Sequence, residues 1–158
     1  MNIPVRVLPA IKNPVEAFDR DRKQYYSTSI LRSIVNSHDP DALRTVGITD
    51  VDLFIPILTY VFGEAQLDGK AAIVSGARLR QEYYGLKPDR RLYAERLFKE
   101  VMHELGHTFG LTHCDLEHCV MHLSNTVAGV DKKRADFCTN HRDEVGKKLK
   151  ELERAYGT

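Results

Sequence analysis

The run His103-Glu104-Leu105-Gly106-His107, followed by Gly110 and then His113, brings three imidazoles, a carboxylate and a glycine together at spacings that suit metal-dependent hydrolysis. Two histidines four apart on a helix lie about 40° apart in azimuth at roughly 3.6 residues per turn, so both rings leave one face and can share an ion. Glu104, turned a further ~100° around the helix, is badly placed to ligate beside His103 but well placed to reach a water in an open coordination position. That makes it the candidate general base. A glycine three residues past His107 lets the helix end in a left-handed turn, which carries the chain back so that His113 supplies the third nitrogen. With 7 His and 10 Gly in 158 residues, the added Gly and His make a chance match roughly 350 times rarer than His-Glu-x-x-His alone. The pattern reads as a catalytic zinc site rather than an amphipathic helix with incidental histidines.

The elements that must hold this site belong to an ordinary soluble domain. A length of 158 residues, 42% hydrophobic and 28% charged, fits one domain with a sizeable core. A net charge of +1 gives no basic field for nucleic acid or an anionic membrane, and Lys132-Lys133-Arg134 reads as a solvated loop. No apolar run approaches the ~18 residues of a membrane span, and the N-terminus has no charged region followed by a long apolar stretch. Three cysteines cannot all pair with one another, and all three lie after residue 113 beside histidines. Metal ligation in a reducing, cytoplasmic setting suits them better than a disulfide framework.

Along the chain, Ile3 to Leu8 alternates like a strand. Asn13-Pro14 reads as an N-cap with proline at the first helical position, opening a helix or broken helix to about Asn36. His38 to Asp41 is a loop, and Val51 to Leu58 is an apolar strand interrupted by Pro56. Lys70 to Gly76 reads as a further strand. The site helix is expected over about 91–109, with Phe98, Met102, Leu105 and Phe109 as its core stripe and Arg96, Glu100, His103 and His107 facing a cleft. Val145, Leu149, Leu152 and Tyr156 mark a last amphipathic helix. Tyr83, Tyr84, Arg90 and Arg91 read as surface residues just before the site helix.

With the three-histidine motif, Cys114 directly after the third histidine, Cys119-Val-Met121, and Cys138 with a partner three residues on, the sequence resembles the archaemetzincins of the metzincin clan. The specific match covers residues 91–141, and a weaker one reaches upstream through Val51 to Pro56 and Phe62 to Ala65. The resemblance implies an α/β (α+β) metzincin-like fold: a small mixed twisted sheet with an antiparallel edge strand, a central active-site helix, and a small zinc-stabilised C-terminal subdomain ending in a helix. One metalloprotease domain over 1–158 would divide into 1–110 and 111–158. It implies that His103, His107 and His113 bind a catalytic zinc, that Glu104 polarises its water, and that Met121 is the methionine of the turn beneath the metal. It also implies a second, structural zinc on Cys114, Cys119 and Cys138. His141 stands where the family has a fourth cysteine, and the interval from Met121 to Cys138 is about one residue short of the family pattern. Cys and His both suit tetrahedral zinc; His118, His122 or a water are the rivals for that fourth place. Adjacent His113 and Cys114 can serve different metals because successive side chains of an extended segment point to opposite sides.

The implied reaction is peptide-bond hydrolysis by zinc-bound water, with Glu104 moving the proton. Ile73, Val74 and Ser75, in the strand at Lys70 to Gly76, are the expected edge along which an extended peptide pairs, as the edge strand does in metzincins. The partner is a peptide or protein, acted on by aminopeptidase or restricted endopeptidase cleavage; the chain is expected to be a monomer. With 102 residues before His103, the family's N-terminal subdomain is expected to use nearly all of them, so no inhibitory propeptide is expected. Two other classes compete: a silent zinc-binding protein, for which Glu104 would have no purpose, and a zinc-ribbon-like interaction module.

Overall fold

The computed structural model describes residues 4–156. Its strands form two three-stranded mixed sheets rather than one. The first has the order β1 (Phe18–Asp19), β2 (Gln24–Tyr26), β4 (Leu53–Phe54); the second has the order β3 (Thr45–Thr49), β6 (Ala71–Ser75), β5 (Gly63–Ala65). In the second sheet β3 runs parallel to β6 and β5 runs antiparallel to it. Among the described residues there are four α-helices: α1 (Ser27–Asn36), α2 (Arg90–Thr108), α3 (Val127–Lys132) and α4 (Thr139–Tyr156).

Helices α1 and α2 cover opposite faces of the second sheet, and the alternation of side chains along β6 decides which residue meets which helix. Ala71 and Ile73 pack with Ile30, Leu31 and Ile34 of α1 in one core cluster. On the same face Glu64, opposite Ile73, hydrogen-bonds Ser27 and Thr28 at the start of α1. Gly63, opposite Val74, faces α2. A second cluster of Leu111, Cys119, Val120, Met121 and Cys138 holds the C-terminal part together, and a third joins Phe62, Leu79 and Val130.

Several expectations change. Residues 4–8 form no strand: Val5 and Val7 are 91% and 92% exposed, since alternation alone makes no strand without a neighbour to pair with and a face to bury. Ile3 lies outside the described residues. Pro14 opens only a 3₁₀ turn, Val15–Ala17, and a tight hairpin then interrupts the expected broken helix, which resumes as α1 and ends at Asn36 as expected. The hairpin's turn is held by Asp19, whose Oδ1 accepts from the amides of Asp21 and Arg22, and by Lys23 at φ 55°. The apolar run from Val51 shrinks to Leu53–Phe54, and β3, β5 and α3 form where no element was expected.

The largest correction concerns Ile73, Val74 and Ser75. Strand β6 is the middle of its sheet, paired on both sides, so it offers no free edge to a peptide; the antiparallel edge strand is β5. A short strand, apolar but for Ser75 and with every residue buried, has the character of an interior strand, and its neighbours were the elements hidden in the sequence. Replacing Ile73, 2% exposed, with Ala should therefore act through the core. We expect a loss of about 2–5 kcal/mol of unfolding free energy in denaturant titration, with KM for a peptide substrate unchanged. A raised KM at unaltered stability would restore the edge assignment.

Candidate active site and metal centres

Helix α2 begins at Asp89, whose Oδ1 accepts from the Leu92 amide at 2.9 Å, an ordinary N-cap. Its far end is fixed by more than its own turn. Gly110 at φ 89° reverses the chain and donates to the His107 carbonyl at 2.9 Å, while Leu111 donates to Gly106 at 3.1 Å. The Asp68 amide, from the β5–β6 connection, also reaches the His107 carbonyl at 2.9 Å, and Arg44 Nε donates to Thr108 O at 3.2 Å. The position of His107 is thus fixed jointly by the helix, its C-terminal turn and the sheet.

The stripe expected to form the core of α2 is the more exposed one. Phe98 is 53% exposed, whereas Arg96, Lys99, Glu100, His103 and Glu104 are all buried. The helix buries its polar side because those groups find partners there: Arg96 grips Asp131 with two nitrogens, and Lys99 reaches Glu95 and the Val130 carbonyl.

Past Gly110 the chain brings His113 over the helix. The ring centroids of His103, His107 and His113 lie 4.8, 5.0 and 5.4 Å apart, and one ligating nitrogen from each falls within 4.8 Å of the others. His103 Nδ1 donates to the Val120 carbonyl at 2.8 Å and His107 Nδ1 to the Leu111 carbonyl at 2.7 Å. These bonds choose the tautomer, leaving the two Nε2 atoms, 3.2 Å apart, as facing lone pairs. Burial holds the proton affinity of all three imidazoles below the usual range, with His103 pushed down to about 3 by burial and then by the nearby Lys133 ammonium. Neutral imidazoles with converging lone pairs fit zinc, and the exposure of His113 leaves the third side open.

Glu104 is buried beside these rings, and burial followed by the like charge of Glu100 raises its pKa well above the carboxylate range. Gly63 of β5 is the surface it lies on. A Cβ at that position would come 2.7 Å from Glu104 Cγ and 2.7 Å from the Ile73 carbonyl. Met121, completely buried, sits against Gly106 between the two helix histidines, where any side chain on Gly106 would strike the Met121 sulfur. The methionine thus packs against the helix turn that carries His107.

A second donor set lies next door. One atom each of Cys114, Cys119, Cys138 and His141 falls within 4.8 Å of the rest. His141 Nδ1 is 3.5 Å from the Cys119 sulfur and 3.6 Å from that of Cys138, and the Cys114 and Cys138 sulfurs are 3.9 Å apart. Among the described residues neither His118 nor His122 joins this group, and His122 spends its Nδ1 on the Cys114 carbonyl at 2.8 Å. Burial pushes the Cys114 thiol up to about 11, while a backbone hydrogen bond at His141 lowers that of Cys138. Three sulfurs and an imidazole fit a closed tetrahedral site.

The profile of Peptidase family M54 matches residues 2–147. The chain belongs to that family. An archaemetzincin of Methanocaldococcus jannaschii is 43% identical over 132 residues, spanning 84% of this chain and 72% of its own length. The crystal structure of the archaemetzincin from Methanopyrus kandleri superposes with a TM-score of 0.80 at 40% identity, covering 88% of this chain and 73% of that one. That from Archaeoglobus fulgidus, complexed with malonate, gives 0.74 at 39% identity, covering 87% of this chain and 79% of its own. Family and fold together make the chain a zinc metallopeptidase of the archaemetzincin type.

Two residues at the site escaped the sequence reading. Lys133, taken for part of a solvated cluster, has a completely buried side chain. Gly63 carried no signal apart from its place in Phe62-Gly-Glu-Ala65. The close approach at Gly63 yields a sharp expectation. Gly63→Ala should lower kcat by on the order of tenfold or more, because a 1 Å misplacement of a reacting group is that costly, while the histidine-bound zinc is retained. Unchanged turnover in the variant would mean that Glu104 tolerates the shift.

Proposed function

We propose that this protein hydrolyses peptide bonds at a zinc held by His103, His107 and His113, with Glu104 as general base. The observation that carries this reading is the pair of facing Nε2 atoms, each fixed by a carbonyl on the opposite nitrogen, next to a buried carboxylate on the same helix. Zinc bound there supplies a Lewis acid that polarises the scissile carbonyl and acidifies water. Glu104 takes the proton from the attacking water and delivers it to the leaving amine. The free edge of β5, next to Glu104 through Gly63, is where an extended substrate pairs, and Ile73 to Ser75 lie one strand behind it.

On this reading the protein carries two zinc ions. The second, on Cys114, Cys119, Cys138 and His141, braces residues 111–158 and the segment bearing His113, with Met121 packed in the same cluster as Cys119 and Cys138. The free thiols needed for that site suit a reducing, cytoplasmic setting. No described helix is long and apolar enough to cross a membrane. The substrate is a peptide or protein, cleaved by aminopeptidase or restricted endopeptidase action, and the working unit is a monomer.

Glu104→Ala should lower hydrolysis of the best peptide from a library by about a hundredfold or more while zinc content and circular dichroism stay as in the wild type. A variant that keeps most of its turnover would remove Glu104 from the mechanism. For the second centre, His141→Cys should retain the structural zinc, since thiolate is an equally good tetrahedral ligand with a bond only ~0.2–0.3 Å longer. His141→Ala should lose it first under a chelator and melt at a lower temperature. Equal metal content and melting temperature in wild type and His141→Ala would place the fourth ligand elsewhere.

A further inference from the structure

Directly behind the imidazole cluster lies an ion pair that the proposed reaction does not use. Lys133, the residue that closes α3, has its side chain 0% exposed and its Nζ 2.9 Å from Glu100 Oε1, itself 4% exposed. The same ammonium lies 3.5 Å from His103 Nδ1 and 3.4 Å from the carbonyl of His122, the residue after Met121. Burying two charges is costly, and replacing such a pair by apolar side chains is often neutral or stabilising, so stability alone gives this pair little reason to be here. Its orientation is more informative, because the positive end is the one set against a ring that faces the metal.

His103 Nδ1 already donates to Val120, so it has no lone pair for the ammonium while Nε2 is free for a metal. The contact between Lys133 and that ring is then one of charge, at a place where water cannot screen it. A cation there disfavours any further positive charge on the imidazole cluster. Glu100 offsets part of this through its own pairing with the ammonium at 2.9 Å.

We propose that the Lys133–Glu100 pair tunes the catalytic centre, with Lys133 loosening the hold of His103, His107 and His113 on zinc and Glu100 limiting how far. This rests on the assignment of those histidines to zinc. It gives the paired residues opposite signs: Lys133 weakens the metal, Glu100 strengthens it. A strut that only supports the fold gives them the same sign, since removing either partner strands a buried charge.

The test is a chelator-competition titration of the more weakly held zinc in wild type, Lys133→Met, Glu100→Gln and the double variant Lys133→Met/Glu100→Gln, with melting temperature measured alongside. We expect zinc held about tenfold more tightly in Lys133→Met and only about threefold more weakly in Glu100→Gln, because the ammonium is the charge set directly against His103. The double variant, which buries no net charge and so folds even where a single variant does not, should bind more tightly than wild type. Weaker zinc in the double variant, or both single variants weaker in step with their melting temperatures, overturns the proposal. Failure of the underlying reading looks different: the wild type would bind no histidine-held zinc, or would bind it and hydrolyse no peptide while the affinity order still held.

Discussion

Helix α2 buries Arg96, Lys99, Glu100, His103 and Glu104 on one side, and each of those groups needs a partner because an unpaired charge in a packed interior is expensive. Much of the surrounding architecture consists of these partners. Asp131 of α3 takes Arg96, and carbonyls of the same helix take Lys99. Lys133, just beyond it, takes Glu100, and the Val120 carbonyl takes His103. The C-terminal part is thereby attached to the helix through polar contacts made at or beside the histidine cluster. Ridding the interior of unpaired charge and building the site are one arrangement.

Attachment by polar groups explains why the two metal donor sets stand so close. His113 and Cys114 are adjacent and belong to different sets, and the Cys114 amide donates to Met121 while the Cys114 carbonyl accepts from His122. A segment pinned on both of its backbone groups can direct neighbouring side chains to opposite sides. The apolar cluster there is small, with Leu111, Val120 and Met121 as its buried non-cysteine members. On the proposed reading, zinc held by Cys114, Cys119, Cys138 and His141 supplies the remaining rigidity.

The sheet contributes to the site through two backbone features. Gly63 leaves room for Glu104 where a methyl group would not fit, and the Asp68 amide caps the His107 carbonyl from a residue at φ 51°. Asp68 also pairs with Lys148 of α4 at 2.7 Å. A short connection between two strands therefore touches both the end of the active-site helix and the last helix of the chain.

The chemistry was legible in the sequence wherever local geometry decided it. A spacing of four on a helix puts His103 and His107 on one face in any tertiary setting, and Gly110 is needed for a left-handed turn whatever surrounds it. The roles expected of Met121 and of Cys138 with His141 came instead from the resemblance to the archaemetzincins. The limits of α2 followed closely from its periodicity, whereas Val145, Leu149, Leu152 and Tyr156 marked α4 without its start at Thr139. Pairing partners, by contrast, are non-local: whether Ile73 to Ser75 lies at an edge depends on Thr45–Thr49 and Gly63–Ala65 arriving on either side, and nothing within the strand records that. For the same reason Ile3 to Leu8 carried a strand pattern with nothing described to pair with it. Hydropathy also misled where burial is electrostatic, for Lys133 looks like a solvated lysine until Glu100 and the His122 carbonyl are found around it. Tertiary structure alone decided which charges went inside, because the free energy of a buried ion belongs to its partners rather than to the residue itself.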